Sequence, residues 1–355
     1  MPAIGPGSLV LVTGASGFLA AHCVHQLLER GHSVRGTVRS KEKGDYLKQL
    51  FKRHGDKFQY VIAEDVEKPN VFDESIKGVD GVLHTASPFH MNAEGRALDA
   101  LVNPAVNGTK NVLTSIAKEK NVKRVIITSS FAAIFDRAKA TPPQTFTEAD
   151  WNESDPIQSE KEGNAQSPAL NAYRASKTLA ERAAWEFVEA NKPSFDLATI
   201  NPPFVFGPII HQVNNPDSLN TSTAAIWQLL HGNKPTAANA VDVRDAAKAH
   251  VEALLRSDAG GQRFGPSYGT YTIQEISDII HATKLPIPEE WKKNTPKDIN
   301  DSKSPFTQDG SKSERVLGIQ YHTLKQTIED TLASLLDYHN RGWKGVASEE
   351  VLYLP

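Results

Sequence analysis

The sequence predicts an α/β chain: an open, doubly wound parallel sheet with a smaller α+β lobe after it. Three observations carry this. Short apolar runs rich in branched residues recur at 8–13, 33–38, 58–63, 79–85, 124–130 and 196–200. Helical patterns separate most of them, the alternation of a parallel sheet with right-handed crossovers. Beyond residue 200 that rhythm gives way to short strands and helices mixed with proline.

The bulk numbers narrow the function. With 355 residues the chain can bury a large core. It is 39% hydrophobic and 23% charged, with a net charge of −3, an ordinary globular composition. No basic block is long enough for a nucleic-acid face. The single cysteine, Cys23, excludes an internal disulfide and a cysteine-ligated zinc site, and no metal is expected. No apolar run approaches the ~18 residues of a membrane span. The first seven residues lack the pattern of a signal peptide, so a cytoplasmic monomer or homodimer is expected.

Ser8–Thr13 is the first buried strand, and Gly14-Ala15-Ser16-Gly17-Phe18-Leu19-Ala20 follows it. A helix with Val24, Leu27 and Leu28 on one face then runs to Gly31. Strand, glycine turn and helix is the context in which such a loop binds a dinucleotide. Gly14 permits the tight turn. Gly17 lets backbone N–H groups meet a pyrophosphate at the helix start, and Ala20 lets helix and strand pack closely. Ser33–Val38 is strand two. An acid at its end would bind a ribose 2′-OH, but here Arg39-Ser40-Lys41-Glu42-Lys43 stands. Arg39, joined one turn on by Lys43, suits a 2′-phosphate, hence NADP(H).

Strand three, 58–63, leads to Asp65 and Val66, which would meet the adenine or form an ordinary turn. Strand four, 79–85, leads through Thr85 and Ala86 to Phe89 and His90; the small residues permit cofactor approach, and the rings could reach substrate. Asn107 is an unfavoured residue within the helix 103–120, which points to a buried hydrogen bond or a packing exception. Strand five, 124–130, ends in Ser129-Ser130, at the strand edge where ligands of such sheets sit. Residues 131–166 read as an irregular rim or lid. Ser167-Pro168 opens a long helix to about Lys192. Strand six ends in Asn201-Pro202-Pro203-Phe204, a rigid wall suited to a nicotinamide ring.

Near the start of the long helix stands Tyr173-Arg174-Ala175-Ser176-Lys177. A Tyr and a Lys four apart share a helix face. The cation favours the phenolate, so a lowered Tyr173 pKa is expected. Tyr321–Lys325 repeats the spacing, so spacing alone selects neither. Helices are expected at 217–231 and from 241, then alternating short strands and helices through 262–271, 272–284 and 321–338, with a Pro- and Lys-rich loop near 285–310. Domain boundaries follow: 8–200 with about 239–260 for the nucleotide domain, and about 201–238 with 261–345 for the substrate lobe.

Together these motifs resemble the extended short-chain dehydrogenase/reductase family. The matched stretches are Thr13–Ala20, Thr128–Ser130, Tyr173–Lys177, Asn201–Pro208 and Val241–Asp245. The likeness is greatest to the fungal NADPH-dependent aldehyde and ketone reductases of methylglyoxal and carbonyl reductase type, with dihydroflavonol reductases near. The resemblance implies a Rossmann sheet and a catalytic triad of Ser130 (Ser129 as fallback), Tyr173 and Lys177. It implies that Gly14, Ser16, Gly17, Phe18, Leu19, Arg39, Lys43, Asp65, Val66, Thr85, Ala86, Tyr173, Lys177 and Pro202 hold NADP(H). Phe89, Phe131, Pro203 and Phe204 are candidates to line the site of a small carbonyl substrate, and Tyr321 is expected to be a surface residue. Rival functions are an NAD-retaining nucleotide-sugar epimerase of the same fold and a non-enzymatic NADP-binding regulator.

Overall fold

A computed structural model describes residues 4–87, 95–236 and 238–354. The strands among them are β1 (Leu9–Thr13), β2 (Ser33–Val38), β3 (Phe58–Ile62), β4 (Gly81–His84), β5 (Arg124–Thr128), β6 (Gln144–Phe146), β7 (Asp196–Ile200), β8 (Phe204–Phe206), β9 (Asn239–Asp242), β10 (Arg263–Phe264), β11 (Gly269–Thr270) and β12 (Phe306–Gln308). The helices are α1 (Phe18–Glu29), α2 (Lys41–Leu50), α3 (Asn103–Ile116), α4 (Ser154–Gln166), α5 (Ala169–Asn191), α6 (Thr221–Leu229), α7 (Val243–Leu255), α8 (Ile273–Ala282), α9 (Glu289–Asn294), α10 (Ser311–Leu317), α11 (Leu324–Asn340) and α12 (Glu349–Leu352).

Seven strands form the main sheet in the order β10-β7-β5-β4-β1-β2-β3, and each neighbouring pair is parallel. From β1 the chain moves outward through β2 and β3, then returns to the other side of β1 for β4. The carboxyl ends of β1 and β4 therefore border the crevice where such sheets bind ligands. The branched runs lack polar alternation because both sheet faces are covered. Val10 and Val12 pack with Leu27, Val251 and Leu254 of α1 and α7. Leu11 packs on the other face with Val112, Leu113 and Ala184 of α3 and α5.

Opposite the crevice, at the amino ends of the strands, Arg124 is fully buried. Its guanidinium takes Asp196 through two bonds, of 2.6 and 2.8 Å, and donates to the carbonyl of Ala253 at 2.9 Å. It registers β5 on β7 and both on the end of α7. Asp242 and Arg244 join the two lobes. Asp242 caps α7 by accepting from the Arg244 amide at 2.8 Å, and Arg244 reaches Asp330 of α11 at 2.7 Å. The second lobe packs α6, α8, α9 and α11 around Phe206, Trp291, Leu332 and Tyr338, beside the small sheet β11-β9-β8.

Three expectations need correction. Residues 131–166 are not irregular throughout: they contain β6 and α4, and β6 pairs in parallel with β12. This helix carries no periodic signal in the sequence, because Ser154–Gln166 has few apolar residues and shows no stripe. The loop expected at 285–310 contains α9 and β12. The nucleotide sheet also runs past the expected boundary near 260, since β10 joins β7. A strand of two residues is too short to show any periodicity.

Candidate active site

The crevice is built for close approach. Gly14 has φ +64°, and a Cβ there would lie 3.1 Å from the Cα of Ala86. The Gly14 amide donates to the Thr37 hydroxyl at 3.0 Å, and the Ala15 amide to the Thr37 carbonyl at 2.9 Å. A Cβ on Gly36 would come within 2.7 Å of the Ala15 Cβ, so β2 can lie beside this loop only with glycine there. Thr85 donates its hydroxyl to the Thr13 carbonyl, and the Ala86 amide donates to the Thr13 hydroxyl at 3.1 Å. These bonds strap the end of β4 across the glycine turn.

Gly17 occupies the cap position of α1, where no side chain accepts from the helix amides and no acid stands in the first turn. A helix start left this way carries unpaired N–H groups and a positive end, the requirement of a phosphate. Ser16 is half-buried, Gly17 exposed, Phe18 buried and Leu19 half-buried. At the end of β2, Arg39 is exposed and has no ion-pair partner among the described residues. Lys43 is half-buried in the first turn of α2. Its amide is capped by the Ser40 hydroxyl at 3.4 Å. The donor set fits a dinucleotide with an extra phosphate.

Asp65 is exposed, and one carboxylate oxygen accepts from the Glu67 amide at 2.9 Å. The ordinary turn is therefore present, and the other oxygen remains for a ligand. Asn111 of α3 pins this turn by donating to the carbonyls of Val66 and Glu67 at 3.1 and 2.8 Å. Nothing in the helical pattern singled it out. Asn107 is exposed, so the buried hydrogen bond considered for it is absent.

Beyond Thr128 the β5 chain stays registered on β7, through Ser129 N–H to Ile200 at 2.8 Å and Phe131 N–H to Pro202 at 2.9 Å. Successive side chains on an extended chain point to opposite sides. Ser129 turns inward and donates to Glu181 at 2.5 Å. Ser130 turns the other way, to the side of Tyr173, whose phenol pKa it acts to hold down. Its Oγ also accepts from the Ala132 amide at 3.1 Å. α5 begins at Ala169 with Pro168 at its cap position. The Ser167 hydroxyl bonds Ser159 at 3.1 Å and does not cap the helix.

Tyr173 and Lys177 are half-buried, and Lys177 lines a narrow cleft with His84, Ala86, Ser87, Thr128 and Ser129. Burial raises the Tyr173 phenol above its ordinary range, while Ser130 acts the other way. The lowered value expected from the spacing is not met, because desolvation outweighs the one opposing contribution, that of Ser130, and Lys177 adds none. Burial also brings the Lys177 ammonium down to about 8. Burial and then the Lys177 charge take His84 to about 3, so it is a neutral ring, bonded to the Thr13 hydroxyl at 2.9 Å.

The second Tyr-Lys pair does not share a helix face. Tyr321 precedes Thr323, the cap of α11, and Lys325 lies within that helix. Nor is Tyr321 a surface residue. Its half-buried hydroxyl accepts from the Ser267 amide at 3.1 Å and donates to the Gly310 carbonyl at 3.0 Å.

Among the substrate candidates, Phe131 is half-buried, stacked on Phe135 at 5.6 Å and edge-on to Phe146 at 6.1 Å. Pro202 is buried, Pro203 half-buried and Phe204 exposed. Phe206 and Trp227 belong to the core of the second lobe. Phe89 and His90 lie outside the described residues. The buried group Glu181, Asn201 and Arg263 behind Ser129 was not anticipated, although Glu181 continues the four-residue spacing of Tyr173 and Lys177 along α5.

The sequence profile of the NAD dependent epimerase/dehydratase family matches residues 10–268. An uncharacterised oxidoreductase of Schizosaccharomyces pombe is 42% identical over 336 residues, 93% of this chain and 97% of that protein. The NADPH-dependent methylglyoxal reductase of Saccharomyces cerevisiae is 37% identical over 352 residues, 94% of this chain and 99% of its own length. The crystal structure of the yeast methylglyoxal/isovaleraldehyde reductase complexed with NADPH superposes with a TM-score of 0.83 at 37% identity, covering 94% of this chain and 99% of that one.

Proposed function

Since this chain belongs to the NAD dependent epimerase/dehydratase family, the extended short-chain dehydrogenase/reductases, we propose that it is an NADPH-dependent carbonyl reductase turning an aldehyde or ketone into an alcohol. The observation that carries this reading is the gathering of Ser130 and Tyr173 at the carboxyl edge of the sheet, where Ser130 acts on the Tyr173 phenol, with Lys177 one helical turn further along α5 and lining the cleft there. Relatives that use NADPH on methylglyoxal and isovaleraldehyde support the reaction class.

The loop at Gly14–Leu19 would take the pyrophosphate, and Arg39 with Lys43 the 2′-phosphate. Asp65 and Val66 would flank the adenine, Thr85 and Ala86 would border the cofactor, and Pro202 would back the nicotinamide. NADPH, when bound, supplies the hydride to the carbonyl carbon. Ser130 Oγ holds the carbonyl oxygen and Tyr173 Oη gives it a proton as charge develops there. A phenol raised by burial is fully protonated at neutral pH, the form a donor requires. Lys177 stabilises the phenolate left behind and would hold the nicotinamide ribose. Phe131, Pro203 and Phe204 present apolar surface to the substrate.

The test is NADPH oxidation with a panel of aldehydes and ketones, for the parent chain and Tyr173→Phe. Loss of the proton donor should cut turnover by at least about a hundredfold, with NADPH affinity unchanged. Turnover retained in Tyr173→Phe would remove the tyrosine from the mechanism. A family member that keeps NAD bound through each cycle, as an epimerase does, would show no net NADPH consumption.

A further inference from the structure

Eight residues beyond Tyr173, on the same face of α5, Glu181 is completely buried and receives donors from three strands. The Ser129 hydroxyl reaches it at 2.5 Å, from the end of β5. The Thr199 hydroxyl and the Asn201 amide of the β7 end reach it at 2.9 and 2.7 Å. Arg263 of β10 pairs with it at 2.6 Å, both side chains buried. The Trp185 ring N–H adds a weak bond from one turn further on, at 3.4 Å.

The network reaches in both directions. Asn201, which bonds Glu181, also donates to the carbonyl of Ser130 at 3.3 Å. Arg263 donates to the carbonyls of Glu148 and Asp150 at 2.6 and 2.7 Å and lies 3.8 Å over the Trp151 ring. The segment leading into α4 is thereby tied to the same carboxylate.

Net stability does not explain this arrangement. Burying two charges costs about as much as their attraction returns, and well-packed apolar side chains commonly serve as well. What the ion pair provides is a unique geometry. Packing alone would let α5 settle slightly along or around its axis. The carboxylate needs all its donors at once, so it permits one register of α5 against β5, β7 and β10.

We propose that Glu181 is a positioning residue for the reaction assigned above, locking α5 to the strand ends so that Tyr173 and Ser130 meet one carbonyl oxygen. The inference rests on that assignment. Glu181 borders the inner end of the cleft that Lys177 lines, but its buried carboxylate is taken up by its own donors, so it acts through Ser129 and Asn201 on one side and the helix on the other.

The experiment measures kcat, KM and NADPH affinity for the parent chain, Tyr173→Phe, Glu181→Gln and Ser129→Ala. A small misplacement of reacting groups lowers the chemical step by up to about a hundredfold. Glu181→Gln should lose kcat by about tenfold to a hundredfold, with NADPH affinity within about twofold of the parent. Ser129→Ala keeps the ion pair and should fold normally, losing kcat by about threefold to tenfold with the same unchanged affinity. It decides the matter if Glu181→Gln does not fold. Parent-like kcat in either folded variant overturns the proposal. So does an equal loss of kcat and NADPH affinity, since that reports general loosening of the sheet. If the parent itself reduces no carbonyl, or Tyr173→Phe keeps its turnover, the failure lies with the assignment of function and not with the role of Glu181.

Discussion

Arg39 ends β2 in solvent, where a 2′-hydroxyl reader would carry an acid, and no carboxylate among the described residues neutralises it. A guanidinium placed this way can take a phosphate through two parallel bonds. Arg39→Ala is therefore expected to weaken NADPH at least about tenfold, the loss of one charge-assisted bond of roughly 1.5 kcal/mol or more, and to leave NADH nearly unchanged. Titration of both cofactors by fluorescence checks this, and equal weakening of both would show that Arg39 does not read the phosphate. The two tyrosines illustrate the limit of reasoning at this scale. Tyr173 and Tyr321 have identical spacing to a lysine, but one lies within a helix and the other two residues before a helix cap. Where the helix begins separates them, and Thr323 with Gln326, a capping-box pair, marked that boundary in plain view.

Among the elements, α1 starts at the glycine turn of the crevice with its end left open. A side chain caps several others: Ser40 caps α2, Asp242 caps α7, Thr272 caps α8 and Thr323 caps α11, whereas α3, α4, α5, α6, α9 and α10 also lack such a cap. At Gly17 no side chain does so. Gly17→Asp should fill the cap, since the backbone there is extended at φ −78°, the conformation an N-cap acid adopts. A Cβ would meet the Gly14 carbonyl at 3.3 Å, which offsets part of the gain. The stability of the cofactor-free protein should stay within about 1 kcal/mol. NADPH affinity should fall at least about tenfold, because a carboxylate would occupy the anion position. Thermal melts with and without NADPH read both effects. A variant that melts as the parent does and gains the parent's full shift with NADPH would place the pyrophosphate elsewhere.

At the scale of the whole molecule, burial creates a pH response. Desolvation brings His22, His84 and His211 down to about 3 and His250 to about 4, against about 6.5 in an unfolded chain. Between those values the unfolded chain binds protons that the folded one refuses, so stability falls as pH drops below about 6.5. It is fully present above that pH. His322 runs the other way, raised by its hydrogen bond to Asp245, and offsets part of the loss as pH falls. The lowered rings outnumber it, since burial lowers His25, His32 and His54 as well. The midpoint of urea unfolding should be lower at pH 5.5 than at pH 7.5, and an equal or higher midpoint at pH 5.5 would contradict the burial of these rings as neutral species.

Local chemistry made much of this chain legible in its amino-acid order. Branched runs can only be buried strands between helices, Gly14 and Gly17 announce a turn without side chains, and Arg39 replaces an acid at a place set by the length of β2. Such features depend on a few neighbouring residues, so they survive without tertiary knowledge. Long-range packing settled the rest. Ser129 and Ser130 are equivalent until the pairing of β5 with β7 turns one inward and the other toward Tyr173. The Tyr173 pKa follows from how much protein surrounds the phenol, a quantity no spacing contains. Glu181 finds its partners 18, 20, 52 and 82 positions away along the chain. A buried carboxylate reads in sequence like any helical acid until the fold removes the water around it and leaves only those donors to replace it.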